Sequence, residues 1–357
     1  MIVKKLVLRN FRNYTSLDLS FEKGLNIITG PNGSGKTNIV EAIYFLSIAR
    51  SFRTSETTDL IMFKRPFATI EGEVELSSRR KTITALISPS SKKMLVNAKP
   101  IKRLSELANL LNVIAFEPKD ALMFVSSPQV RRNFLDINLS KKSAIYLENL
   151  INYEKILKER NALLKKDNVD LVELSVLTKQ IVDVSMVIDK YRLTYVSEIN
   201  RVLSKIVSSL MGEERKAFLV YEPFVKVDEN FALNATRAYE RAKESDIKHR
   251  VTQIGIHRED IKMLLDDKNI SSTGSQGENR LAVIALKLAP YFLVEDKDNR
   301  PIIVLDDVLS ELDENHQNRL MELLKRFEQV FITSTQNTFL NASVYEVDKH
   351  KVNRRNA

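Results

Sequence analysis

Residues 30–37 read Gly30-Pro-Asn-Gly-Ser-Gly-Lys-Thr37 and match the pattern G-x-x-x-x-G-K-[ST]. They lie between Leu25–Thr29, which has the composition of a strand, and Thr37–Ile48, which has helical spacing. Glycines allow backbone N–H groups to surround phosphate oxygens, and the following helix contributes the positive end of its dipole. We therefore predict a phosphate-binding loop for ATP, in which Lys36 neutralises the β- and γ-phosphates and Thr37 binds Mg²⁺. The predicted nucleotide-binding residues of this loop are Gly30, Pro31, Asn32, Gly33, Ser34, Gly35, Lys36 and Thr37.

A pair of acids follows an apolar run much later in the chain, in Ile302-Ile-Val-Leu-Asp-Asp307. Four consecutive apolar residues are typical of a strand that is buried on both faces. The end of that strand places Asp306 where a carboxylate can hold Mg²⁺ through water, so we predict Thr37 and Asp306 as the metal ligands. Asp307 follows at once, and we predict that it is the catalytic group that orients the attacking water.

A third element, Ser275-Gln-Gly-Glu278, lies 31 residues before Asp306 and opens an apolar helical stretch. A serine and a glycine at the amino end of a helix can form a second phosphate-binding surface, although the pattern alone is little better than a turn. Its order and spacing relative to Asp306 make it informative, and Ser310-Glu-Leu-Asp313 follows the paired acids. We therefore add Ser275, Gln276, Gly277 and Glu278 to the predicted nucleotide-binding residues.

The composition restricts the class of protein. Lys and Arg number 55 against 46 Asp and Glu, a net charge of +9 over 357 residues. This excess favours a polyanionic partner, nucleic acid first and an anionic membrane second, but simple solubility explains it equally well. The absence of cysteine excludes a disulfide framework and a thiolate zinc site. With no signal-peptide pattern and no apolar stretch of about 20 residues, we expect a cytoplasmic protein.

The predicted secondary structure changes twice along the chain. Short predicted strands alternate with turns to about residue 125, a helical pattern follows, and patterns typical of strands resume near Arg250. Apolar residues seven apart from Leu174 to Val202 predict a long helix, antiparallel to an earlier one near Ile145 to Lys166. The pair is either a protruding coiled coil or ordinary packing within a lobe. We predict an α/β ATPase head formed by residues 1–125 and 250–357, with a helical insertion at 126–249.

The order of these motifs resembles that of ATP-binding-cassette (ABC) ATPases of the DNA-repair and chromosome-maintenance kind. Further segments narrow the resemblance to the RecF family over nearly the whole chain. They are Leu8-Arg-Asn-Phe-Arg-Asn-Tyr14, Gly33-Ser-Gly-Lys-Thr-Asn-Ile-Val-Glu-Ala-Ile-Tyr44, Arg50-Ser-Phe-Arg53, Arg131-Arg-Asn-Phe-Leu-Asp136, Leu157-Lys-Glu-Arg-Asn-Ala-Leu-Leu164 and Thr252-Gln-Ile-Gly-Ile-His-Arg-Glu-Asp260. Arg12, within the first of them, joins the predicted nucleotide-binding set.

The resemblance implies a mechanism. Two heads form an ATP-dependent homodimer, and each ATP lies between the phosphate-binding loop of one head and the signature serine of the other, which makes Ser275 a catalytic residue along with Asp307 and Lys36. The dimer is expected to close on duplex DNA near single-strand gaps, where RecR and RecO help RecA to load, and hydrolysis is expected to reopen it. The implied cofactors are ATP and Mg²⁺.

Three departures from the wider ABC family bear on the rate of hydrolysis. The base position carries Asp307, where Glu is common, and an Asp demands tighter closure around the water. ABC ATPases usually have a switch histidine after the next strand, but none follows Gln329–Thr333 here. They also usually have a glutamine where the chain enters the helical lobe, and that position here reads Phe116-Glu-Pro118. These departures are also those of the RecF family, and they favour slow hydrolysis.

Two other classes share some of these motifs. The energising subunit of a membrane transporter has all three, but it lacks an inserted helical pair. A P-loop kinase would have no S-x-G-E element before its acids. Pairs of basic residues could build a DNA-binding surface, although each pair alone is more typical of a solvated face. These are Lys64-Arg65, Arg79-Arg80, Lys92-Lys93, Lys102-Arg103, Arg131-Arg132 and Lys141-Lys142.

Overall fold

The computed structural model describes residues 1–77, 79–101, 103, 105–335 and 342–355. The strands are β1 (Ile2–Phe11), β2 (Tyr14–Ser20), β3 (Gly24–Thr29), β4 (Ala68–Leu76), β5 (Arg79–Ile87), β6 (Lys92–Val96), β7 (Lys99–Pro100), β8 (Val113–Phe116), β9 (Ala217–Glu222), β10 (Asp260–Leu265), β11 (Lys268–Asn269), β12 (Ile302–Leu305), β13 (Gln329–Ser334), β14 (Ser343–Asp348) and β15 (Lys351–Arg355). The helices are α1 (Lys36–Ile48), α2 (Ser105–Ala108), α3 (Pro128–Lys142), α4 (Ala144–Leu164), α5 (Leu171–Met211), α6 (Phe231–His249), α7 (Ile270–Thr273), α8 (Gln276–Phe292) and α9 (Glu314–Leu324).

The chain forms two compact units, which do not follow the predicted boundaries. The first comprises residues 1–121, 206–214 and 280–357, and the second comprises 122–205 and 215–279. The predicted return to the head near Arg250 is therefore too early. The reason is that β10 pairs antiparallel with β9, which ties the segment after Arg250 to the second unit.

The first unit contains a sheet that is mostly parallel. Its order is β15-β14-β3-β13-β12-β8. Both predicted apolar strands are confirmed, and every residue of β12 and of β13 is buried, as expected for strands covered on both faces. The register pairs Thr29 with Ser334 and Leu305 with Ile332, so β3, β13 and β12 end at the same edge. The segments that follow β3 and β12 therefore leave the sheet at the same edge, with the end of β13 between them.

An antiparallel sheet of order β2-β1-β4-β5-β6-β7 completes the sheets of this unit. The predicted hairpin is confirmed, because β4 and β5 pair in register from Ala68↔Ile87 to Leu76↔Arg79. Helix α1 is buried on nearly all sides, beyond the single apolar face that its spacing predicts, and its residues share one core with strands of both sheets. A helix enclosed in this way holds its amino end rigidly.

In the second unit, α4 and the part of α5 up to Lys205 run antiparallel. The contacts show this directly, since Arg160 bonds Thr178 (Nε to Oγ1, 3.3 Å) and Tyr146 bonds Arg192 (Oη to Nε, 3.2 Å). The heptad positions from Leu174 to Tyr195 are buried, as predicted. The insertion is not purely helical, because a small sheet of order β11-β10-β9 belongs to this unit. Alternating burial along Ala217–Glu222 explains why a strand forms there.

Buried ion pairs hold the second unit together. Arg160 pairs with Asp246 at 2.8 Å and Arg192 with Glu259 at 3.0 Å, and all four side chains are at most 2% exposed. Glu259 comes from the segment 252–260, whose role the sequence did not indicate, and so does Thr252, which accepts a hydrogen bond from Arg160 at 2.7 Å. Within it, His257 Nδ1 lies 2.7 Å from the hydroxyl of Tyr153, and burial lowers the pKa of His257 to about 4. This segment is part of the folded core of the unit.

Among the described residues, no helix has both the length and the apolar content needed to cross a lipid bilayer.

Candidate nucleotide-binding site

The predicted phosphate-binding loop connects β3 to α1, in the strand–loop–helix context that the motif requires. Gly30 and Gly35 have φ of 151° and 110°, in the region that favours glycine. A β-carbon at Gly30 would collide with the carbonyl oxygen of Val347, and one at Gly35 would lie 2.7 Å from the hydroxyl of Tyr14. Pro31, Asn32 and Gly33 are exposed. Only glycine fits at the two ends of this loop.

Lys36 is the first residue of α1, and its side chain folds back over the loop. Its Nζ donates hydrogen bonds to the carbonyl oxygens of Gly30 (2.7 Å) and Pro31 (2.9 Å). Burial lowers the pKa of Lys36, while the carboxylates of Asp307 and Asp306 oppose that shift. The ammonium group is thus fixed inside the loop, where phosphate oxygens can replace the carbonyl oxygens as acceptors.

Thr37 and Asp306, the two predicted metal ligands, are in direct contact. The Thr37 hydroxyl donates to Asp306 Oδ1 at 2.9 Å. Thr333, on β13 between the two segments, donates to the same oxygen at 2.7 Å. Burial raises the pKa of Asp306, and the hydrogen bonds from Thr333 and Thr37 oppose the shift. One carboxylate and one hydroxyl beside a phosphate-binding loop are a donor set that Mg²⁺ uses together with nucleotide phosphates.

Asp307, the predicted base, has an unusual backbone. Its φ is +51°, and its N–H donates to Thr333 Oγ1 at 2.9 Å. Its Oδ1 is buried and has no hydrogen-bond partner among the described residues, and the same holds for Ser34 Oγ in the loop. Buried polar atoms without a partner are rare and commonly mark a place for a ligand or water. Both observations fit a nucleotide and an attacking water at this edge.

Ser275 lies just before α8, in the second unit. Its backbone N–H donates to Glu278 Oε2 at 2.8 Å, and its hydroxyl accepts from the N–H of Glu278 at 3.2 Å. This is a capping box, which stabilises the helix start. The backbone bond from Ser275 lowers the pKa of Glu278, which also pairs with Arg215 at 3.1 Å. Ser275, Gln276 and Gly277 are exposed, and their role in nucleotide binding stays a prediction.

Arg12 contacts α1 instead of the loop. Its guanidinium forms a two-pronged ion pair with Glu41, which is fully buried, with 3.0 Å from Nε to Oε2. Glu41 also accepts from Ser51 and lies 3.6 Å from Arg53, whose guanidinium bonds Asn38 on α1 at 3.0 Å. Three of the family-like segments therefore meet at one carboxylate. Nucleotide contact by Arg12 stays a prediction.

Several residues at the site were missed from the sequence. Thr333 ends a strand beside Asp306, and strand adjacency is the signal that could have found it. His350, which appears isolated in the sequence, has its Nδ1 2.9 Å from the carbonyl oxygen of Ser34. The Tyr14 hydroxyl donates to the carbonyl oxygen of Gly35 at 3.2 Å. These contacts fix the backbone of the loop from outside.

One of the candidate basic pairs does not lie on a free surface. Arg131 and Arg132 are 7% and 8% exposed. Arg131 forms a two-pronged pair with Asp260 (2.7 and 2.8 Å), and Arg132 donates to the carbonyl oxygen of Glu259. The sequence offers these two adjacent arginines as a possible DNA contact, but in the structure both donate hydrogen bonds to acceptors inside the protein. Of another pair, Lys102 lies outside the described residues.

Comparison with known proteins supports the resemblance. The RecF/RecN/SMC N terminal domain family matches residues 2–355. The DNA replication and repair protein RecF of Halalkalibacterium halodurans is 38% identical, over 99% of this chain and 100% of that protein. RecF of Geobacillus kaustophilus is 36% identical, over 94% and 93%.

Solved structures agree. One described as the recombination mediator protein RecF-ATPrS in the RecFOR pathway superposes with a TM-score of 0.91 at 29% identity, over 99% of this chain and 98% of that one. An Smc head domain from Pyrococcus furiosus has a TM-score of 0.58 at 18% identity, over 99% and 95%, and shows a shared fold. The predicted fold class, an ABC-type ATPase head with an inserted helical lobe, is confirmed.

Proposed function

The chain belongs to the RecF family of DNA replication and repair proteins, and from that membership we propose that it is an ATP-dependent DNA-binding protein of recombinational repair and replication restart. The observation that carries the proposal is the contact of Thr37 with Asp306 beside the Lys36 loop. That arrangement is typical of a magnesium–nucleotide site. The solved relatives described as RecF-ATP and RecF-ATPrS support ATP as the nucleotide.

Mg²⁺, when bound, neutralises charge on the phosphate oxygens. The protein residues then have distinct roles. Lys36 and the loop N–H groups would bind the phosphates, while Thr37 and Asp306 would hold the metal. Asp307 accepts a hydrogen bond from the attacking water and orients it. Because its carboxylate is one methylene shorter than that of Glu, we expect hydrolysis to be slow and to work as a switch.

Asp307→Asn tests the role of this base. Asparagine tolerates the left-handed backbone that Asp307 adopts, so the fold is expected to be unchanged. ATP binding is expected to persist because Asp306 is intact, while phosphate release falls roughly 100-fold. Turnover at the parental rate would show that Asp307 is not the base.

We also propose that ATP joins two copies of the chain, with Ser275 of one head facing the ATP of the other. The exposure of Ser275, Gln276 and Gly277 supports this, because a surface used by a partner must be accessible in the single chain. ATP would close the dimer on duplex DNA near single-strand gaps, in the cytoplasm, and the chain would help to load RecA with RecR and RecO. The name of the RecFOR pathway and the net charge of +9 support these partners.

The deciding experiment is sedimentation velocity with and without ATP, in the presence and absence of duplex DNA. Ser275→Arg is expected to bind ATP normally but to fail to dimerise, because an arginine overfills the interface. Ser175→Arg, the same change at an exposed position of α5, is the matched control. Dimerisation of Ser275→Arg at parental strength would exclude a signature role for Ser275. A separate ATPase assay with and without duplex DNA distinguishes the other classes. A rate that DNA does not increase would favour a transporter subunit or a P-loop kinase.

A further inference from the structure

A group of exposed aromatic, apolar and basic side chains lies outside the residues assigned to nucleotide. We call it the Phe63 patch, and it consists of Phe63, Lys64, Arg65, Phe67, Leu86 and Lys93. Phe63 is 85% exposed, Phe67 52% and Leu86 42%. Single exposed apolar residues are common on protein surfaces, but several of them beside cations point to a partner.

The strand register places part of the patch on one face of the antiparallel sheet. Leu86 is paired with Thr69 on one side and with Lys93 on the other. Phe67 lies just before β4, two residues from Thr69, and its exposure beside the buried Ala68 and Ile70 continues the alternation of that strand. Phe67, Leu86 and Lys93 therefore share the exposed face at one end of this sheet.

A turn next to that end presents the remaining residues. Ile61 is bridged to Phe11, and the Met62 N–H donates to the carbonyl oxygen of Asn10 at 2.8 Å. The Arg65 N–H donates to the carbonyl oxygen of Met62 at 2.9 Å, which leaves Phe63 and Lys64 at the tip. Lys64 has φ of +63° where glycine is favoured, and its Nζ lies 5.4 Å from the centre of the Phe63 ring. Because backbone hydrogen bonds anchor the turn, Phe63 and Lys64 are held together at its exposed tip.

The charge of the patch is positive. Lys64, Arg65 and Lys93 form no ion pair within the described part of the chain, and residues 61–67 contain no acid. On the same face of β4, the first acidic residue is Glu71, whose carboxylate accepts a hydrogen bond from the Thr84 hydroxyl at 3.5 Å. Cations beside exposed aromatic rings complement a nucleic-acid strand, whose phosphates and base faces they can bind together.

We propose that the Phe63 patch binds DNA at positions where the bases are unpaired, as at the border of a gap. This rests on the proposed function as a DNA-binding protein and adds the site and the structural feature that it recognises. The three cations contact phosphates, and the rings of Phe63 and Phe67 stack on bases. Stacked bases in a continuous duplex do not offer their faces, so the rings distinguish gapped from intact DNA without reading sequence.

The test compares intact duplex with a gapped duplex that carries 2-aminopurine in the gap, with ATP present. The parent is expected to prefer gapped DNA and to quench the probe. The double variant Phe63→Ala/Phe67→Ala is expected to lose roughly tenfold in affinity for gapped DNA and to lose the quenching, with duplex affinity within about twofold. Leu233→Ala, an exposed apolar position elsewhere that is 50% exposed, is the matched control. Lys64→Glu/Arg65→Glu is expected to weaken binding to gapped DNA and to reduce its salt dependence.

Each other result overturns the inference. Parental quenching and gap affinity in the aromatic variant would exclude the patch while leaving the proposed function intact. A parent that binds no DNA at all would refute the proposed function and the patch with it. Loss of ATP-dependent dimerisation in the variant would assign the patch to a second copy of the chain. Patch-dependent binding to phosphatidylserine vesicles, with gapped DNA binding unchanged, would assign it to a membrane.

Discussion

Two sets of buried polar groups in this molecule differ in whether they have hydrogen-bond partners. In the second unit, Arg160 Nη1 donates hydrogen bonds to Asp246 and Thr252 at 2.8 and 2.7 Å, so groups of the protein itself compensate its charge. At the sheet edge, Ser34 Oγ and Asp307 Oδ1 are buried without partners among the described residues. The first arrangement stabilises a fold, and the second leaves donors and acceptors for a ligand. Asp189 Oδ2 and Tyr239 Oη of the second unit are also buried without partners among the described residues, so an unpartnered polar atom marks a functional site only where other features agree. At the sheet edge they agree, because both atoms lie in or beside the predicted phosphate-binding motifs.

The largest effect that this comparison predicts is on stability. Arg160→Ala removes one partner of a buried ion pair and leaves the Asp246 carboxylate uncompensated, so we expect a loss of about 4 kcal/mol in the free energy of unfolding. Urea unfolding followed by circular dichroism measures it. ATP affinity of the folded variant is expected to be unchanged, because the phosphate-binding loop lies in the first unit.

The control for this change lies on α6. Glu240→Ala removes the exposed pair with Lys243 (2.9 Å), and the expected change is within about 0.5 kcal/mol. A loss in Arg160→Ala no larger than in Glu240→Ala would contradict the view that the engaged network stabilises the second unit.

The two regions also differ in how well the sequence predicts them. Residues 30–37 are contiguous, and their glycines and flanking elements carry the geometry, so the loop, Asp306 and the parallel strands were all predictable. Arg160 and Asp246 are 86 positions apart, and their pairing depends on how α4 and α6 pack. The burial of the Arg131-Arg132 pair was not predictable for the same reason, because two of its acceptors, Glu259 and Asp260, lie 127 and 129 positions away.

Lys36→Met tests whether the phosphate-binding loop at the sheet edge binds ATP. Removing the ammonium group leaves phosphate charge uncompensated, so we expect ATP affinity to fall roughly 100-fold, or about 3 kcal/mol. The free energy of unfolding is expected to change little, because the hydrogen bonds that Lys36 Nζ makes to the described residues go to two carbonyl oxygens of the loop itself.

Equilibrium binding of a fluorescent ATP analogue measures the effect of Lys36→Met. Lys23→Met, at an exposed position before β3, is the control for the loss of one positive charge. Equal affinities in the two variants would remove the basis for the phosphate-binding assignment.

The smallest effect concerns Thr333, the part of the site that only the fold reveals. Thr333→Val keeps the shape of the side chain but removes the bond to Asp306 and leaves the Asp307 N–H without its acceptor. We expect Mg²⁺-dependent ATP affinity to fall roughly tenfold, or about 1.4 kcal/mol. Thr333→Ser keeps the hydroxyl and is expected to behave as the parent.

The pH dependence of Thr333→Val separates this role from simple packing. Burial already raises the pKa of Asp306, and the hydrogen bond from Thr333 opposes that shift. Without the bond the pKa rises further, so Asp306 becomes protonated at a higher pH and releases Mg²⁺ there. As the pH is lowered, the valine variant should therefore lose Mg²⁺-dependent ATP binding at a higher pH than the parent does, while the serine variant follows the parent. Coinciding profiles for the valine variant and the parent would mean that Thr333 only fills space between the strands and does not tune the Asp306 carboxylate.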